Sequence, residues 1–179
     1  MKTAKISTWT GAFLSLLLLA GCQPSGESDT SVVTAPQESA QETQAEQPEP
    51  VGEEVTITIT GDDNMKFGTE AFTVQARQPV KIIFKNVGTM PKQSMGHNLV
   101  VLKQGVDKTS FANAGMNQAS NDYIHPDRED ETIAYTAILG PGEEETITFT
   151  APAETGDYDY ICTFPGHTAA GMVGVMTVE

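Results

Sequence analysis

Cys162, His167 and Met172 stand on one short stretch, Cys162-Thr-Phe-Pro-Gly-His167-Thr-Ala-Ala-Gly-Met172, with the spacing C-x4-H-x4-M. A second histidine lies far upstream, in Met95-Gly96-His97-Asn98. Each residue has an ordinary reading by itself: a buried thiol, a loop imidazole, a core-filling thioether, a hydrogen-bonded core histidine. An exported protein with a lone thiol must bury it, pair it between chains or coordinate it. Taken together, two imidazoles, one thiolate and one thioether form a soft, mixed N/S donor set.

Two His and one Cys in a plane, with a long, weak axial Met, is a copper geometry suited to moving one electron. Thiolate and thioether favour Cu(I), imidazole serves both oxidation states, and an intermediate geometry limits rearrangement when the electron moves. Zinc would prefer a closed tetrahedral Cys/His set and gains little from a thioether. The residues therefore point to one copper ion alternating between Cu(I) and Cu(II). A catalytic copper centre would need more imidazoles. With His97 and His167 committed, only His125 is left of three histidines; it precedes Pro126 in an expected turn and reads as a surface residue, so no enzyme is expected. The alternative use of the same ligands is a copper-binding or sequestering lipoprotein that protects against copper or oxidative stress. Stores of that kind repeat Met/His/Cys clusters, whereas this chain offers one.

Such a site needs a rigid frame. Val55-Thr-Ile-Thr-Ile-Thr60 alternates with period two, as a half-buried strand should. Further strands are expected at 72–76, 80–86, 97–102, 132–138, 145–150, 157–162 and 172–178, punctuated by Gly61-Asp-Asp-Asn64, Gly88, Gly140-Pro-Gly142 and Gly156. Short strands at this spacing predict an all-β fold, an eight-stranded Greek-key β-sandwich. Residues 107–120, with Ala, Met and Phe but no alternation, predict a short helical flap. On this frame His97 opens one strand, Cys162 closes another and Met172 opens the last.

The remaining sequence concerns delivery. Residues 1–21 carry Lys2 and Lys5, then a short apolar run ending Leu19-Ala-Gly-Cys22. That pattern is a secretory signal too short to span a membrane conventionally. Its end resembles a bacterial lipobox, which implies cleavage before Cys22 and attachment of diacylglycerol and palmitate-type chains to its sulfur. Gln23, rather than Asp, then points to an outer-membrane lipoprotein facing the periplasm. Residues 22–54 hold eight acids and no base among Ser, Gln, Thr and Pro, the composition of a disordered tether. Residues 55–179 form the folded domain, with 16 acids and 8 bases; the whole chain has a net charge of −14. This acid surplus excludes nucleic acid as a partner, because phosphate backbones select basic patches.

Across 55–179 the chain resembles the cupredoxins, and azurins in particular. Asp62-Asp-Asn-Met-Lys-Phe67, Pro91-Lys-Gln-Ser-Met-Gly-His97-Asn98, Asp122-Tyr-Ile-His-Pro-Asp127, Leu139-Gly-Pro-Gly-Glu143 and Cys162-Thr-Phe-Pro-Gly-His167 resemble azurin segments in azurin order. With the lipobox, the whole is similar to a lipid-modified azurin. The resemblance implies a type 1 blue copper centre: His97, Cys162 and His167 as strong ligands, Met172 as axial ligand, and the Gly96 carbonyl as a distant second axial contact. It implies that Asn98 ties its loop to Thr163, and that backbone N–H groups beside Phe164 support the Cys162 sulfur. It also implies an apolar docking rim of Met65, Met95, Met116, Phe164 and Pro165 around His167. Implied partners are c-type cytochromes as donors and periplasmic reductases, such as a nitrite reductase or a cytochrome peroxidase, as acceptors. The chain departs from azurins in placing four residues between His167 and Met172, as plastocyanins and auracyanins do, and in having Leu99 after His97-Asn98 and Asn86 at the place of a pH-sensitive histidine.

Overall fold

Strand β1 (Val55–Asp62) alternates between half-buried or buried and exposed positions over most of its length, which is what strict period-two patterning produces on a two-faced sheet. In a computed structural model describing residues 49–179, it lies in register beside β4 (Pro79–Asn86) as a parallel pair, from Val55 opposite Val80 to Gly61 opposite Asn86. Four alternate residues of β4, Val80, Ile82, Phe84 and Asn86, face inward and are buried. β7 (Glu144–Thr150) pairs antiparallel to β4, and β2 (Lys66–Phe67) folds back on β1, giving the sheet order β2-β1-β4-β7.

The second sheet has the order β3-β9-β8-β5-β6, built from β3 (Ala71–Val74), β5 (Val100–Leu102), β6 (Thr132–Tyr135), β8 (Gly156–Ile161) and β9 (Val173–Val178). β3 runs parallel to β9, and the other pairings are antiparallel. The inner faces meet in one apolar core, with Ile59, Ile82 and Phe84 of the first sheet against Val101, Tyr158, Tyr160 and Met176 of the second. Val100 and Leu102 point to the other face of β5. They are buried there against Phe111, Ala112 and Ile124, which belong to helix α2 (Lys108–Gly115) and the loop beyond it. That is why β5 is apolar without alternation: both its faces are covered.

The expected β-sandwich with a helical flap is the observed architecture. All eight expected strands are present, and the structure adds a ninth, β2, too short for periodicity to reveal. Phe67 of β2 is buried and packs against Phe84 and Tyr160, with ring centroids 6.0 and 5.3 Å away. Several boundaries also move, two of them beside the site. The turn expected from Gly61 begins later, because Gly61 pairs with both Phe67 and Asn86 inside the sheet. The strand expected from His97 begins at Val100; His97 itself forms an isolated antiparallel bridge with Leu139. Cys22, the signal and residues 22–48 of the tether lie outside the described residues. Among the described residues no helix is long and apolar enough to cross a membrane.

Candidate metal centre

The short helix α1 (Lys92–Met95) ends at Gly96, whose extended backbone turns the chain into the bridge that holds His97. His97 N–H donates to the Leu139 carbonyl at 3.1 Å, and Leu139 N–H donates back to His97 at 2.7 Å. β8, in the five-stranded sheet, delivers Cys162 one residue beyond its last strand position, with its N–H donating to the Met172 carbonyl at 3.2 Å. The loop between them closes on itself: His167 N–H donates to Phe164, and Met172 N–H donates to the His167 carbonyl at 2.9 Å. Thr168 Oγ1 donates to the Cys162 carbonyl at 2.7 Å. Thus His97, distant in sequence, is brought to the same end of the sandwich as the loop that carries Cys162 and His167.

The Nδ1 atoms of His97 and His167 are 3.2 Å apart, and the Cys162 Sγ lies 3.9 Å from the first and 3.5 Å from the second. All three residues are buried, and they form the metal-binding cluster found among the described residues. Met172 is fully buried in the same core cluster as Cys162. Its position is fixed by Gly61, where an added Cβ would come within 2.9 Å of the Met172 methyl, 3.2 Å of Phe84 and 3.4 Å of the His97 Cβ. Only glycine lets β1 approach so closely, and the close approach places the thioether beside His97.

The electrostatics suit a metal better than they suit bare side chains. Burial pushes the His167 imidazole down to about 4, with His97 adding to the effect. Burial also lowers His97, opposed by the Asp62 backbone and the Asp63 and Asp62 carboxylates. Both rings are therefore neutral at pH 7 and present lone pairs. Burial raises the Cys162 thiol to about 12, while backbone N–H groups of Asn98 and Phe164 pull it the other way. A bound cation reverses that balance, since a coordinating thiol is deprotonated outright. The donor set of two neutral imidazoles and a sulfur supported by N–H groups fits a soft or borderline metal.

The surrounding hydrogen bonds are specific. Asn98 Nδ2 donates to Thr163 Oγ1 and Thr163 N–H donates to Asn98 Oδ1, both at 2.8 Å, so the two ligand-bearing segments are joined by a reciprocal pair. The Asp122 carbonyl accepts from both Asn98 and Thr163, at 3.0 and 3.1 Å. Asp122 and the following Tyr123 hold left-handed φ angles of 50° and 59°, a conformation non-glycine residues adopt only where surroundings enforce it. Sequence reading gave Asn98 and Thr163 this role, whereas Asp122 entered it only as the first residue of the azurin-like segment 122–127.

His167 keeps 3 % of its surface exposed and stacks on Phe164 at 4.7 Å, which in turn meets Tyr123 edge-on at 5.2 Å. Met65, Met95, Phe164 and Pro165 are half-buried, and Met116 is 47 % exposed. Met90 and Val87, which the sequence did not single out, are also exposed and apolar. Met90 sits on a loop pinned to Asp63, whose carboxylate accepts from Thr89 N–H and Oγ1 at 2.8 Å and from Met90 N–H at 3.3 Å. His125 is remote from the donor cluster in role: its Nδ1 accepts from Asp127 N–H and caps a 3-10 turn. Asn86 is buried, donating to the Leu139 carbonyl and accepting from Gly88 N–H.

Residues 53–179 match the model of the copper binding proteins, plastocyanin/azurin family. The chain is 41% identical over 114 residues to Outer membrane protein H.8 of Neisseria gonorrhoeae, covering 63% of this chain and 61% of that protein. It is 37% identical over 115 residues to the azurin of Alcaligenes faecalis, covering 62% of this chain and 88% of that one. The structure of a reduced auracyanin from Roseiflexus castenholzii superposes with a TM-score of 0.63 at 41% identity, over 72% of this chain and 99% of that one. With the buried His-Cys-His cluster, these matches identify the cofactor as one copper ion, and the chain belongs to the plastocyanin/azurin family of copper binding proteins, as an azurin-like cupredoxin.

Proposed function

We propose that the protein is a blue copper carrier of single electrons, anchored by lipid in the cell envelope, and not an enzyme. The convergence of two Nδ1 atoms and one Sγ in a buried pocket carries this reading. His97, Cys162 and His167 would be the strong ligands, with Met172 and the Gly96 carbonyl as weak axial contacts. Copper supplies the one-electron couple. The protein's part is to hold the donors still: the His97–Leu139 bridge fixes one imidazole, and the Asn98–Thr163 pair locks the two segments together. Donors held in this way need little rearrangement when the charge of the centre changes. Apolar walls exclude water, and N–H groups of Asn98 and Phe164 offset charge on the sulfur.

Electrons would pass through His167, framed by Met65, Met95, Met116, Phe164 and Pro165. An apolar rim suits a partner that must dissociate quickly, because it adds little long-lived ion pairing. Donors would be c-type cytochromes, and acceptors periplasmic reductases of the nitrite reductase or cytochrome peroxidase kind. We assign residues 1–21 to a signal peptide, Cys22 to lipidation, 22–54 to a tether and 55–179 to the copper domain. The relatives named Outer membrane protein H.8 support an envelope location. Labelling with a radioactive fatty acid, lost in Cys22→Ala, tests the anchor.

Stopped-flow mixing of the oxidised protein with a reduced c-type cytochrome tests the function. Rapid oxidation of the cytochrome, slowed by a charge placed in the rim, is expected. Negligible exchange by a fully copper-loaded sample would favour sequestration and overturn the electron-carrier reading.

A further inference from the structure

The ligand loop carries a contact that its own residues do not supply. Lys66, on the two-residue strand β2, extends its ammonium across to the loop and donates to the Gly171 carbonyl at 3.2 Å. Gly171 has φ of +88°, and an added Cβ there would lie 3.0 Å from Lys66 Nζ. The same peptide unit, Gly171 to Met172, is held at its other end by the Met172 N–H, which donates to the His167 carbonyl at 2.9 Å. Oxygen and N–H of this one peptide are thus fixed by two different parts of the chain. It is the peptide that enters Met172, at the end of the four-residue interval between His167 and Met172.

Lys66 is placed for this by its own hairpin. Met65 adopts φ of 56°, Lys66 N–H donates to Asp62 Oδ1 at 3.3 Å, and Phe67 is buried against Phe84 and Tyr160. With Phe67 locked inward, alternation sends Lys66 outward over the loop. Lys66 has no carboxylate partner among the described salt bridges, in contrast to Lys85, Lys92 and Lys108.

We propose that Lys66 is a positioning residue for Met172: its ammonium clamps the Gly171 carbonyl and fixes the peptide that carries the thioether into the site. The inference rests on Met172 acting as a ligand only for its redox consequence; the clamp itself is a property of the metal-free chain. A charge-assisted hydrogen bond to a carbonyl restrains that carbonyl more firmly than a neutral one does, and its loss frees the loop end while removing a positive charge near the centre.

The test compares Lys66→Met, Lys66→Arg and, as a control for losing a remote surface charge, Lys81→Met. In the metal-free full-length protein, Met172 amide exchange is expected to quicken at least fivefold in Lys66→Met and to stay at the wild-type rate in Lys66→Arg and Lys81→Met. In the copper-loaded protein, the Cu(II)/Cu(I) ratio at fixed poise should rise about threefold in Lys66→Met, roughly 30 mV at 59 mV per decade, and return in Lys66→Arg. Exchange in Lys66→Met within twofold of wild type, or equally fast exchange in Lys66→Arg, would overturn the clamp. Faster exchange with an unmoved potential would leave the clamp standing and overturn its redox consequence.

Discussion

His97 and His167 present the same atom to the same point, yet the molecule holds them in opposite ways. His97 is fully buried, fixed by a two-way backbone bridge to Leu139, and backed by the carboxylate-rich turn at Asp62 and Asp63. His167 sits on a self-closing loop, stacked on Phe164. In the proposed reading, the bridge at His97 would supply permanence and the loop at His167 would supply access. A site that must keep its metal and still exchange electrons with a passing partner gains from dividing these tasks between two histidines.

The largest expected effect removes what both halves share. Cys162→Ser should abolish the intense visible thiolate-to-copper absorption entirely, even where copper still binds; a surviving band would mean that the sulfur is not a ligand. Next is the joint between the halves. Asn98→Ala deletes two buried hydrogen bonds to Thr163 and leaves Thr163 N–H unpaired, so thermal or urea unfolding of the metal-free protein should show a loss of about 2–4 kcal/mol. A loss under about 0.5 kcal/mol would show that the two sides stand independently.

Acid sharpens the contrast in the metal-free protein. The His167 imidazole titrates at about 4 when folded, against 6.5 as the ordinary value. Between those values the unfolded chain binds more protons than the folded one, so folded stability is intact above about pH 6.5 and falls as pH drops toward 4. Below about pH 4 this group contributes no further loss. Denaturation at a series of pH values should therefore show a stability decline of a few kcal/mol across this window, and replacing His167 with Ala should flatten it. The smallest effect belongs to the access side. Met116→Glu, at a 47 % exposed position, should slow electron exchange with an acidic partner severalfold while leaving the absorption spectrum and unfolding midpoint unchanged.

Much of this was legible because chemistry and periodicity leave strong marks. Period-two alternation marked β1, turn residues such as Gly88 and Gly140-Pro-Gly142 bounded other strands, and the C-x4-H-x4-M spacing marked one side of the metal centre. What escaped is made of contacts without local pattern. β2 is too short to alternate, so neither the locking of Phe67 nor the reach of Lys66 could be read from it. His97 looked like the first residue of a strand because the apolar run Leu99–Leu102 follows it; it is a bridge residue, since its backbone pairs with Leu139 rather than with β6 or β8. Asp122 joins Asn98 and Thr163 through a backbone carbonyl, which no side-chain motif encodes.

The most direct measurement is a copper titration of the purified protein followed by visible absorption and electron paramagnetic resonance. Saturation at one Cu(II) per chain, with an intense visible thiolate band growing in step and bleaching on one-electron reduction, is the predicted result. A protein that takes up one Cu(II) without that band, or takes up none, would contradict the convergence of His97, Cys162 and His167 on a single copper ion.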